Sequence, residues 1–137
     1  MISNQLSLSR QLDMMFKELQ PELSQLCSGT IFVQIRNNII GKFGIRHLPF
    51  EGADGKVEPQ SSGLSDIQQR SLQKMSMEAL KYKTSWTHGE INFDFTVRQN
   101  KLCASVQFES NYIEPYYIKH YKASFQFCPH FAHVSLC

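Results

Sequence analysis

Four side chains near the C-terminus have the chemistry of metal ligands: Cys128, His130, His133 and Cys137. Thiolate and imidazole suit zinc, and four such donors can surround one ion. Their spacing, C-x-H-x2-H-x3-C, lacks the separated pairs of a zinc knuckle. The expectation is an apolar tail with scattered histidines and neither metal nor cofactor, these four being the candidates should an ion be held.

Nucleophilic chemistry has one candidate, Cys103, which His47 or His88 could approach in space. Cysteine catalysis needs a base within hydrogen-bond reach and a third group to orient it. Nothing around Lys101-Leu-Cys-Ala-Ser105 resembles a nucleophile turn, and a buried cysteine is ordinarily a small hydrophobe. Glu90, Asp94 and Glu109 form a second set. Close carboxylates can split their pKa values or bind a cation, but the polar face of an antiparallel sheet is ordinarily just solvated.

Two groups point to binding. Arg36, Lys42 and Arg46 lie near Phe32 and Phe43, and cations interleaved with aromatics on a sheet can hold phosphates and stack bases. Thr84-Ser-Trp-Thr-His-Gly-Glu90 places the single tryptophan, Trp86, beside His88 at a handover between elements. Such segments often carry binding residues, although Trp86 also suits the end of a core. The candidate binding residues are therefore Arg36, Lys42, Arg46, Trp86 and His88. No phosphate-binding, dinucleotide, nucleophile-elbow, HExxH or EF-hand pattern occurs, so common nucleotide, hydrolase and metalloprotease classes are disfavoured.

The elements that must position these residues follow from periodicity. Leu8, Leu12, Met15, Leu19, Leu23 and Leu26 form a helical stripe over residues 5–27, with Pro21 expected to kink the helix or start a new one and Gly29 to stop it. Residues 30–47 read as a β-hairpin turning at Asn37-Asn38, with a bulge at Gly41 that returns Phe43 and Ile45 to the face of Ile31, Val33 and Ile35. Residues 48–63 read as a long loop. Ser65-Asp-Ile-Gln68 is a capping box, opening a helix to about Lys83 with a stripe of Ile67, Leu72, Met75, Ala79 and Tyr82.

Residues 90–109 carry the strongest pattern. A two-residue turn at Gln99-Asn100 pairs 97 with 102, 95 with 104, 93 with 106 and 91 with 108, apolar against apolar throughout. The same register sets Glu90 against Glu109 and Arg98 against Lys101. Beyond Ser110, a fifth strand within 115–128 is expected.

The chain has 137 residues, 42% hydrophobic and 19% charged, with a net charge of +2. Those values fit one globular domain over 1–137, with 110–137 a loosely attached tail. They give no strong field for duplex DNA. No apolar run is long enough to span a membrane. The N-terminus has no basic segment followed by an apolar one, so the cytoplasm with reduced cysteines is the expected setting. In an oxidising compartment, the four cysteines could pair in three ways.

The expected fold is α+β: two helices on one face of a four- to five-stranded antiparallel sheet, in the order α-β-β-α-β-β. The expected function is a non-catalytic interaction or regulatory module, binding a protein partner or a second copy through the free sheet face or an edge. Two alternatives are a small hydrolase or transferase using 47–63 and 84–90, and single-stranded nucleic-acid binding through the first hairpin.

Overall fold

The computed structural model describes residues 6–58, 62–112 and 131–135, the last by backbone alone. Helix α1 spans Leu8–Leu23 and opens on Ser7, whose hydroxyl accepts the Arg10 amide at 3.3 Å. Pro21 falls in its last turn, and no second helix starts there: Ser24 closes the helix, its hydroxyl donating to the Pro21 carbonyl at 2.6 Å. Gly29, read as a stop signal, instead lies inside the first strand.

Strands β1 (Ser28–Arg36) and β2 (Ile39–His47) form the first hairpin. Asn37 and Asn38 have φ of 52° and 62°, the left-handed pair that a tight two-residue turn requires. The register passes from Gln34 opposite Lys42 to Ile35 opposite Ile40, leaving Gly41 as the bulged residue. Within the expected loop, a short ladder joins β3 (Gly52–Ala53) to β4 (Lys56–Val57) across Asp54-Gly55. Both turn residues have positive φ, the familiar hairpin use of Asp-Gly.

Helix α2 (Asp66–Ala79) begins with the capping box and ends in a 3-10 turn, Leu80–Tyr82. Its buried face is Leu72, Ser76 and Ala79, whereas Ile67 and Tyr82 are exposed. Ile67 lies five residues from Leu72, which at about 100° per residue puts it well off that face. The Ser76 hydroxyl is buried at no cost in satisfaction because it donates to the Leu72 carbonyl at 2.9 Å.

Strands β5 (His88–Arg98) and β6 (Lys101–Ser110) pair in the register derived above, every apolar pair included. Beyond them, β7 (Phe131–Ser135) pairs antiparallel with β6. This strand lies within the stretch read as a loose tail; the strand expected within 115–128 falls outside the described residues. The sheet order is β2-β1-β5-β6-β7, so the inner strands of the two hairpins, β1 and β5, lie side by side and antiparallel. The fold is α+β, as the order of elements predicts.

Ile31, Val33 and Ile35 of β1, Ile91, Phe93 and Phe95 of β5, and Ala104, Val106 and Phe108 of β6 are buried against Leu12, Met15, Phe16, Leu19 and Leu23 of α1 and Leu72 of α2. No helix of the described residues is long and apolar enough to cross a membrane.

Candidate partner-binding surface

Because side chains alternate along a strand, burying the odd-numbered residues of β1 and β5 leaves the even-numbered ones on the opposite face. No helix among the described residues covers that face. Register arranges it in rows: Arg46, Thr30, Asp94 and Ser105; then Gly44, Phe32, Asn92 and Gln107; then Lys42, Gln34, Glu90 and Glu109.

Contacts between rows hold these side chains in place. Arg46 Nη1 donates to Asn92 Oδ1 at 3.1 Å, and its guanidinium sits 4.4 Å from the centre of the Phe32 ring. Glu90 accepts from Asn92 Nδ2 at 2.9 Å and from Gln34 Nε2 at 3.4 Å, with Arg46 Nη2 at 4.0 Å. Thr30 Oγ1 donates to Asp94 Oδ1. Gly44 permits the arrangement, since a Cβ there would come within 2.8 Å of the Phe32 ring.

At one end of this face, a groove of about 390 Å³ is lined by Gln34, Arg36, Gly41, Lys42, His88 and Glu90 among others. Three of the five expected binding residues, Arg36, Lys42 and His88, thus share one concavity, and Arg46 reaches it through Glu90. Trp86 does not. It is 1% exposed and packs edge-on against Phe108 at 5.5 Å, with its indole N–H donating to the Lys83 carbonyl at 3.1 Å. The Trp86 backbone amide donates to Asn38 Oδ1 at 2.8 Å, so this residue supports the β1–β2 turn from the core.

The other constellations separate. His47 stands opposite Gly29 and His88 opposite Arg36, at the two ends of β1, roughly 23 Å apart by strand rise. His47 instead meets Glu22 of α1, Nε2 to Oε2 at 2.6 Å. Cys103 is disulfide-bonded, whereas Cys27 is a thiol. The expectation of reduced cysteines therefore fails at Cys103, the cytoplasmic reading loses that support, and a sulfur so engaged is no nucleophile.

Glu90 and Glu109 face each other as derived, but Asp94 lies four residues along β5 from Glu90 and is taken by Thr30. Among the described residues no group of metal-ligating side chains converges. Cys128, His130 and Cys137 lie outside them, and His133 is described only as a backbone position opposite Gln107.

Phe32 and Phe43 fall on opposite faces. Phe43 pairs with Val33 on the helix-covered side and is 37% exposed there, at the margin of the core. Sequence reasoning could not anticipate that exposure, because it follows from β2 being an outermost strand. Among the described residues, β2 pairs only with β1, and its far side carries no strand.

Compared with known family models, with curated proteins and with solved structures, the chain has no match.

Proposed function

We propose that this chain is a protein-interaction module acting without catalysis, and that its contact surface is the open sheet face together with the β2 edge beside it. One observation carries the reading: among the described residues β2 is an outer strand paired only with β1, and it supplies Gly41 and Lys42 to the groove holding Arg36 and His88. A groove continuous with an open strand edge offers a partner both side-chain contacts and main-chain hydrogen bonds.

The charge pattern favours protein over nucleic acid. Arg36, Lys42 and Arg46 are interleaved with Glu90, Glu109 and Asp94, and a phosphate backbone would meet repulsion along with attraction. Phe32 lies on the open face, and its ring is already engaged by Arg46 and by the backbone at Gly44. A base has little ring left to stack on. The hydrolase or transferase alternative draws on 47–63 and 84–90 together, which the distance between His47 and His88 does not favour.

The test is site-specific photocrosslinking in cells of origin, with a photoreactive side chain at Gln34 in the groove and, as control, at Lys74 on the exposed side of α2. The expected result is a discrete protein adduct from Gln34, abolished by Arg36→Glu, and none from Lys74. Adducts of equal yield from both positions, or from neither, would remove the proposal.

A further inference from the structure

Lys42, Gly44 and Arg46 occupy alternate positions of β2 on the open face, while Phe43 and Ile45 point to the helix side. Its last residue, His47, adds no negative charge, and no acidic residue lies anywhere on the strand. Lys42 and Arg46 both lean over Phe32 of β1, at 5.9 Å and 4.4 Å from its centre, and Arg46 also contacts Asn92 and Glu90 of β5 while its side chain stays 54% exposed. On the helix side, Phe43 is 37% exposed. Met14 is 55% exposed, three residues beyond Gln11, which contacts β2 through the Ile40 amide; nearer the end of α1, Glu22 meets His47 at the end of the strand.

From this juxtaposition we propose that the β2 edge receives an extended acidic segment of another protein, added as a further strand. Its acidic residues lie beside Lys42 and Arg46, and its alternating apolar residues lie beside Phe43 and the Met14 flank of α1. The inference rests on the reading of the sheet as the contact surface and narrows it to a strand of stated pattern.

Three physical points support it. Strand addition satisfies the outward backbone groups of an edge, and alternate side chains then set specificity. Charge complementarity selects the sign: two cations separated by Gly44 match two carboxylates four residues apart, with room between them. Cations on an edge strand are also a common guard against self-pairing. In an antiparallel pairing with a second β2, the cations of each copy stand opposite or diagonal to those of the other, so the guard turns away a like strand and attracts an acidic one.

The experiment titrates the full chain with two synthetic peptides, one alternating Glu and Val and one alternating Lys and Val, followed by NMR and amide exchange. The Glu-Val peptide is expected to bind at least about fivefold more tightly at low salt, a gap that two exposed ion pairs can supply. It is expected to slow exchange of β2 amides. Lys42→Glu should invert the preference, and that reversal shows the variant remains folded and competent.

Equal affinity for both peptides overturns the acidic pattern. Shifts confined to Arg36, His88 and Glu90, with β2 exchange unchanged, overturn strand addition. Self-association that protects β2 without peptide assigns the edge to a second copy and overturns the inference. Crosslinking at Gln34 does not use the peptides, so failure here is distinguishable from failure of the broader reading.

Discussion

The side-chain amide of Gln11 on α1 holds the start of β2 through Ile40. Gln11 Oε1 accepts the Ile40 amide at 2.8 Å, while its Nε2 donates to the Asn38 carbonyl at 2.9 Å. One side chain thus bridges the second turn residue and the start of β2 and ties the edge strand to the helix above it. Gln11→Leu keeps the bulk and removes these two bonds and a third, exposed one to the Leu6 carbonyl, leaving two part-buried backbone groups without their partner. The expected loss is about 1–3 kcal/mol in urea unfolding, with faster exchange of the Ile40 amide than in the parent.

Gly89 and Gly41 make a matched pair. A Cβ at Gly89 would lie 2.5 Å from the Glu109 carbonyl oxygen and 2.5 Å from the Trp86 ring, whereas one at Gly41 meets nothing within 4 Å. Gly89→Ala is expected to cost about 2–3 kcal/mol, because a strand backbone and a packed indole must both shift. The single tryptophan reports the change directly in its fluorescence. Gly41→Ala should stay within about 0.5 kcal/mol of the parent. Similar losses for both would mean that Gly89 is not confined as described.

The two hairpin turns should respond differently to glycine. Gln99 and Asn100 have φ of 51° and 66°, conformations that cost an L-residue energy and glycine little. Asn100→Gly is expected to stabilise by about 0.5 kcal/mol. Asn38 has φ of 62°, but its Oδ1 accepts the Trp86 amide, so Asn38→Gly relieves the backbone and loses that bond. A net loss of about 1 kcal/mol is expected. Thermal denaturation of the two variants side by side decides the matter by the sign of each shift.

Asp13 links the helices and gives stability a pH dependence. Its Oδ1 accepts from Gln73 Nε2 of α2 at 2.6 Å, and Lys17 lies 3.4 Å from Oδ2. The Gln73 hydrogen bond first, then Lys17, hold the carboxyl below its ordinary value. A carboxylate whose pKa is depressed by folding contributes stability above its unfolded pKa, and the contribution is lost as pH falls through the folded value. NMR titration of the Asp13 side chain should give a value below the ordinary carboxylate range in the parent. Gln73→Leu should bring it back up, and an unchanged value in that variant contradicts the assignment.

Much of the fold was legible because local signals agreed. Alternation from Ile91 to Val97 and from Leu102 to Phe108, around a two-residue gap, leaves one register that puts every apolar side chain on one face. The Asn37-Asn38 turn, the Gly41 bulge and the Ser65 capping box were readable for the same reason: each depends on residues within a few positions of one another. The α2 face was misread because Ile67 and Tyr82 are apolar but lie off the helical stripe, whereas Ser76 is polar yet buries a hydroxyl that its own helix satisfies.

The candidate site was legible in composition and not in geometry. Arg36, Lys42 and His88 were named from the sequence, but they meet because β1 lies against β5, a pairing between residues about sixty positions apart that no local pattern encodes. The same pairing left β2 at the edge and exposed Phe43, and it set His47 and His88 at opposite ends of the sheet. The burial of Trp86 beneath Gly89 was likewise settled only by packing. Periodicity records which face of an element avoids water, and so the sequence alone determined the two helices, the two hairpins of the main sheet and the inward sides of α1 and of those hairpins. The neighbour each strand takes depends on how two finished hairpins cover one another's apolar faces, and only the tertiary structure decided that.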